Sequence, residues 1–134
     1  MRLLLDSHVF VWVKTAPEIL SNEARAAFID PENDAFISVA SAWELWIKHA
    51  GKPIHAFAPV LDSGALSFLK AARESGIALL DITLEHVATA TRLPRIHGDP
   101  FDRLIVAQAI MEQLTVVSRD HMLKRYKGFR LLAA

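Results

Sequence analysis

Cysteine is absent from this chain of 134 residues. Its absence excludes disulfides, thiolate zinc sites and cysteine nucleophiles, and leaves a cytoplasmic address as the default. Net charge is missing too, because 15 basic residues balance 15 acidic ones. The molecule as a whole therefore offers no electrostatic case for nucleic acid, and only the distribution of charge could make one. No apolar run is long enough for a signal peptide or a membrane span; the N-terminal Leu3-Leu4-Leu5 stops at Asp6. Gly-x-Ser-x-Gly, a Walker-type loop and Gly-x-Gly-x-x-Gly do not occur, so serine-triad and nucleotide-cofactor readings have no anchor. The six histidines fall in no His-Glu-x-x-His or other clear ligand spacing. Repeats and low-complexity tracts are lacking as well, and with 52% apolar residues residues 1–134 read as one domain. A chain of this size buries about two-thirds of its unfolded surface.

What is present begins with a strongly marked helix start. In Asp99-Pro100-Phe101-Asp102-Arg103, Asp99 stands at the N-cap and Pro100 at the first helical position. Asp102 lies three residues past the cap, where a carboxylate answers free backbone N–H groups and the helix dipole. Taken alone, this is a well-capped helix. Other elements alternate around it. Leu3–Leu5, Ala35–Val39, Ile77–Ile82 and Leu114–Ser118 read as buried strands, with Phe129–Leu132 as an edge strand. A helix or turn is expected over Val9–Val13, and helices from a Ser21 cap to Asp30-Pro31, over about Ala40–Ala50, over Ser63–Glu74 and from a Thr83 cap to Ala90. The Pro100–Gln113 helix then feeds the fourth strand. Within them, Trp43, Trp46, Ile47 and Ala50, and likewise Leu66, Leu69 and Ala72 or Arg73, recur at the spacing of one apolar face.

Strands separated by helices argue for an α/β domain with a mainly parallel sheet, in which ligands gather at the carboxyl ends of strands. Asp6 and Asp120 each fall just past a strand. Asp102 could join them only through tertiary folding. Glu44 lies mid-helix, four residues before Lys48, so an exposed i,i+4 ion pair is its simplest reading. If Asp6, Glu44, Asp102 and Asp120 do meet, with Asp99 close by, their repulsion must be relieved by protons or cations. Oxygen-only ligands suit Mg²⁺ or Mn²⁺. Such a centre activates water and stabilises the leaving oxygen of a phosphodiester displacement. The run from Arg119 to Arg130 carries Arg119, Lys124, Arg125, Lys127 and Arg130 against Asp120 alone. It reads either as a solvated face or as counter-charge for a polyanionic substrate. His8, His97 and His121 lie within two residues of a candidate aspartate and read as solvated or supporting groups.

Four segments together carry a resemblance over essentially the whole chain: Leu4-Leu5-Asp6-Ser7-His8, Ala42-Trp43-Glu44-Leu45 with Ile47-Lys48, Asp99-Pro100-Phe101-Asp102-Arg103 with Ala107-Gln108-Ala109, and Val117-Ser118-Arg119-Asp120. In this order and spacing the chain resembles the PIN-domain nucleases, and among them the VapC-type toxins of toxin–antitoxin pairs. The resemblance implies a three-layer α/β/α fold, an Mg²⁺- or Mn²⁺-dependent endoribonuclease and an RNA substrate. It also implies a small cognate antitoxin whose C-terminal segment occupies the active-site groove, and a homodimer. The high apolar content, including Trp12, Trp43 and Trp46, also suits a dimer. Residue by residue, Asp6 matches the first metal-binding aspartate, Glu44 the buried organising glutamate, Asp102 or Asp99 the third acid and Asp120 the fourth. Ser7 and Ser118 match hydroxyl positions near the site, and Arg103 would pair with a carboxylate or touch phosphate. The segment His49-Ala50-Gly51-Lys52-Pro53-Ile54 departs from the related Gly-Lys-Leu turn. A housekeeping PIN nuclease of RNA processing and a catalytically inert RNA- or protein-binding module are the alternative readings.

Overall fold

The computed structural model describes residues 1–96 and 98–134; His97, one of the three histidines noted beside the acids, lies outside the described residues. Among the described residues five strands form one all-parallel sheet. They are β1 (Arg2–Leu5), β2 (Asp34–Ser38), β3 (Ile77–Leu80), β4 (Thr115–Ser118) and β5 (Arg130–Ala133), in the order β3-β2-β1-β4-β5. The helices are α1 (Ser7–Thr15), α2 (Asn22–Ile29), α3 (Val39–Gly51), α4 (Ala58–Leu61), α5 (Ala65–Glu74), α6 (Leu84–Arg92) and α7 (Pro100–Glu112).

Alternation along the strands divides the core in two. Leu3, Leu5, Ala35, Ile37 and Val117 face one cluster, built from Val9 and Phe10 of α1, Ala42 and Leu45 of α3 and Phe68, Ala71 and Ala72 of α5. Leu4 and Val116, with Phe36 and Leu131, face the other, built around Ile105, Val106 and Ala109 of α7. The second layer is completed by α6, which packs along α7. Three layers result, α/β/α, as the resemblance to PIN domains implies, around the parallel sheet that the alternation of strands and helices predicts. Leu3, Leu4 and Leu5 are all fully buried because each face of the central strand is covered, and each such side chain stabilises the fold by about 1.5–3 kcal/mol.

Two helices turn a different face inward from the one that their largest apolar residues predict. In α3 the buried residues are Ala40, Ser41, Ala42, Glu44 and Leu45, whereas Trp43 is 61% and Ile47 48% exposed. Small residues let α3 approach both core clusters closely, and the bulky indole is left outside. Trp46 is partly buried and donates from Nε1 to the Leu61 carbonyl. In α5 Phe68, Ala71 and Ala72 go inward while Leu66 is 77% exposed. Phe68 takes that role by stacking on Phe10 of α1 at 4.8 Å.

Parallel strands bring all their carboxyl ends to one edge. Asp6 follows β1 there, and α3 leaves β2 there. Because α7 leads back into the start of β4 through Gln113, in the left-handed region at φ 56°, the opening turn of α7 reaches the same edge. This is how residues from four remote segments come to face one another.

Candidate active site

Asp6 is both the last residue before α1 and its N-cap. Its backbone N–H donates to the Val117 carbonyl at 3.0 Å, extending the β1–β4 pairing by one step. Its Oδ1 accepts from the Ser7 N–H at 2.7 Å, and its Oδ2 accepts from the Ser118 hydroxyl, also at 2.7 Å. Ser118 Oγ in turn accepts from the Asp120 N–H at 3.0 Å. One hydroxyl thus ties the ends of β1 and β4 and orients two acidic residues.

Ser7, the next residue, points toward α3. Its hydroxyl donates to Glu44 Oε1 at 2.6 Å and lies 3.4 Å from Asp6 Oδ1. Glu44 is only 5% exposed, so the simple exposed pair describes half of its surroundings. Lys48 Nζ does stand 3.4 Å from Oε2, but the other oxygen accepts from Ser7 and the residue as a whole is buried. A buried carboxylate is tolerated because a hydroxyl and an ammonium compensate its lost hydration.

On α7, Asp99 is the N-cap observed as well as expected, its Oδ1 accepting from the Phe101 N–H at 2.9 Å. Glu44, Asp99 and Asp102 each offer an oxygen within 4.8 Å of the others. The neighbouring step holds the two helices together, with Trp43 and Phe101 meeting edge to face at 5.3 Å. Consecutive residues of α3 and α7 therefore supply an apolar joint, 43 to 101, and an acidic one, 44 to 102.

Asp6, Glu44, Asp99, Asp102 and Asp120 all line one cavity of about 380 Å³, together with Ser7, His8, Val9, Trp12, Lys48 and Arg119. Five carboxylates face two cations there, an excess of three negative charges. The acids are grouped: Glu44, Asp99 and Asp102 form the tight trio, while Asp6 and Asp120 are linked through Ser118, and Ser7 stands between the groups. An all-oxygen donor set in this geometry fits a hard divalent cation.

Other expected residues are placed differently. The Arg103 guanidinium donates to the carbonyls of Ala90 and Leu93, at 2.8 and 3.2 Å, and so braces α7 against the end of α6 outside the acidic cavity. His121 is exposed beyond the cavity, whereas His8 lines it and packs near Trp12 and Phe57. Trp12 and Lys48 were legible in the sequence only as an apolar residue and an ion-pair partner; their place in the cavity wall follows from α1 and α3 starting at one sheet edge.

The comparisons with known proteins bear on the fold and the family. The family model described as PIN domain matches residues 3–128. Ribonuclease VapC22 of Mycobacterium tuberculosis is 35% identical over 127 residues, 93% of this chain and 92% of that protein. In structure the chain is similar to a chain of VapBC2 from Rickettsia felis, solved bound to a promoter DNA fragment, with a TM-score of 0.69 and 18% identity. DNA-bound VapBC from Salmonella typhimurium gives 0.66, also at 18% identity, and both alignments cover 99% of this chain and 98% of the other.

Proposed function

The chain belongs to the PIN-domain family, and from that premise we propose that it is a metal-dependent endoribonuclease, the toxin of a toxin–antitoxin pair. The observation that carries the reading is the meeting of five carboxylates from four remote segments in one cavity. Its 35% identical relative is a ribonuclease by name.

In this reading Asp6, Asp99, Asp102 and Asp120 hold Mg²⁺ or Mn²⁺, and Glu44 organises the centre. A divalent ion bound among them supplies Lewis acidity, lowering the cost of deprotonating water and of charge on the leaving oxygen. The chain's own residues do the positioning. Ser118 holds Asp6 and the Asp120 backbone in register. Ser7 fixes the orientation of Glu44, and Lys48 balances its charge. RNA enters from the open side of the cavity, and its phosphodiester is hydrolysed with the backbone oriented for in-line attack.

A small cognate antitoxin is the proposed partner, and a second copy of the chain completes a homodimer. Related assemblies are two-component VapBC complexes, and exposed Trp43, Ile47, Leu66 and Leu69 supply apolar surface that such contacts would cover. Among the described residues no helix is long and apolar enough to cross a membrane.

The test is direct. Purified protein is expected to cut RNA in Mn²⁺ and to stop in EDTA, with Asp6→Ala and Asp120→Ala slower by about 100-fold or more. Cleavage by both variants at the wild-type rate would remove the reading. Expressed alone the chain should arrest growth, and co-expression of the adjacent small partner should relieve the arrest.

A further inference from the structure

Arg119 is exposed, yet it is held in place on three sides. Its guanidinium carbon lies 4.5 Å from the centroid of the Trp12 ring. Nη2 donates to the Ile19 carbonyl, and Nε donates to the Ala134 backbone oxygen at 3.4 Å. None of these partners is one of the five acidic side chains that line the same cavity, although Asp120 is its neighbour in sequence. Lys48, the other cation of the cavity, is engaged with Glu44.

The difference has a physical cause. An arginine free to swing would collapse onto the nearest acid, because the cavity carries excess negative charge. The indole face and two main-chain oxygens take up the guanidinium instead, and they hold it off the cavity's acidic side chains. A guanidinium has five N–H donors in a planar fork, and the two backbone oxygens use two. The remaining donors belong to a cation already fixed at the edge of the acidic cavity. The ordering cost of a long side chain is met by the fold before any ligand arrives.

We infer that Arg119, seated on Trp12, is a positioning residue that receives a non-bridging oxygen of the phosphodiester backbone as RNA enters the acidic cavity. The inference rests on the nuclease reading for the identity of the polyanion. A fixed guanidinium suits this task because it binds phosphate through parallel N–H donors. It also offsets the repulsion that the carboxylates exert on an approaching strand. The competing role is a strap that joins α1, the turn at Pro17–Ile19 and the end of β5, with no contact to RNA.

Kinetics and binding separate the two. With a fluorescein-labelled single-stranded RNA in Mn²⁺, Arg119→Ala is expected to raise KM about tenfold, the loss of one charged hydrogen-bonding contact, with kcat nearly unchanged. The slope of log KM against log salt should fall by about 0.7, the share of one phosphate on a single strand. Arg119→Lys should restore part of both effects, and Trp12→Phe should preserve more than Trp12→Leu. Anisotropy with the same RNA and the Asp6→Asn protein, with and without Arg119→Ala, measures the contact independently of turnover. Unchanged affinity and salt slope there, with a lowered Tm, would establish the strap and overturn the inference. If the wild-type protein cuts no RNA but Arg119→Ala still weakens binding and flattens the salt slope, the nuclease reading fails and the phosphate contact stands. Should Arg119→Ala not fold, Arg119→Gln keeps hydrogen-bond donors without the charge, and the same loss of affinity and slope is expected of it.

Discussion

The Ser7 hydroxyl donates to Glu44 Oε1 at 2.6 Å, joining positions 37 residues apart and locking the start of α1 to the middle of α3. A hydrogen bond to a charged, buried group contributes about 1.5–3 kcal/mol. Ser7→Ala should therefore lower the unfolding free energy in urea by that order. It should also weaken Mn²⁺ binding, because Glu44 loses its fixed orientation. Ser7→Thr retains the hydroxyl and should keep Mn²⁺ binding near wild type, while its extra methyl in this buried position costs about 1–3 kcal/mol of stability. Equal losses of Mn²⁺ binding in Ala and Thr variants would mean that packing, not the hydroxyl, is what matters at this position.

Asp99 and Asp102 share the trio with Glu44 but differ in their local duties. Asp99 also caps α7 through the Phe101 N–H. Asp99→Asn preserves a capping oxygen and removes a charge, whereas Asp99→Ala removes both and should cost about 1 kcal/mol of stability in addition. By calorimetry Asp99→Asn and Asp102→Asn are each expected to weaken Mn²⁺ binding. Mn²⁺ at about 100 times its Kd should stabilise the wild type by roughly 2.7 kcal/mol, and EDTA should reverse this. An Asp102→Asn protein that binds Mn²⁺ as wild type does would take Asp102 out of the metal set.

His86 is a buried residue with a structural task that the sequence pattern did not single out. Its Nδ1 accepts from the Thr83 N–H at 3.0 Å, closing a capping box at the start of α6, and its Nε2 lies 2.9 Å from Glu112 Oε1 at the end of α7. With Nδ1 accepting, Nε2 carries the proton and donates to the carboxylate. Loss of a cap and of a buried hydrogen bond together should make His86→Ala about 2–4 kcal/mol less stable. Glu112→Gln, which keeps an acceptor oxygen, should cost less. A denaturant series on the two variants checks the order.

One surface pair sets a pH dependence. A hydrogen bond from Lys14 holds the Glu74 carboxyl below its ordinary value of 4.5, assisted by the charges of Lys14 and Lys70 and opposed by partial burial. Because the folded value is the lower one, the contribution to stability is present above the unfolded value and lost as pH falls through the folded value. Lys14→Met should flatten the acid limb of stability below about pH 4.5 and leave the neutral region little changed. Urea midpoints measured across that limb decide it; an unchanged acid limb would show that the pair does not couple to folding.

The parts of the fold that the sequence predicts well are those fixed by local chemistry. The Ser21, Thr83 and Asp99 caps all accept the backbone N–H groups expected of them, because a capping side chain needs only its own helix. Leu3–Leu5 and Val116–Val117 are recognisable as strands covered on both sides because the apolar runs are continuous, too short for a helix and stopped by polar residues. The faces of α3 and α5 were not legible, since periodicity weighs Trp43 and Leu66 by size. The fold places by fit, and it chose Ala42, Leu45 and Phe68. The short helix α4 has no capping signal and was not anticipated. Among the candidate site residues, the geometry that joins Asp6, Glu44 and Asp102 depends on the sheet edge, which no local motif encodes. Arg103 shows the reverse: it adjoins an acid in sequence, yet turns to the carbonyls of α6.

The bond from Ser118 to Asp6 spans 112 positions, and β1 pairs on one side with β2 and on the other with β4. Contacts so distant along the chain close late in folding, after nearer elements have found each other. A nascent polypeptide that has not yet reached β4 has neither Ser118 nor Asp120, and its β1 has a single neighbour. Such a nascent chain carries most of the acidic side chains but lacks the complete acidic cavity, so any hydrolytic power that depends on that cavity would arise only once β4 and Asp120 are in place.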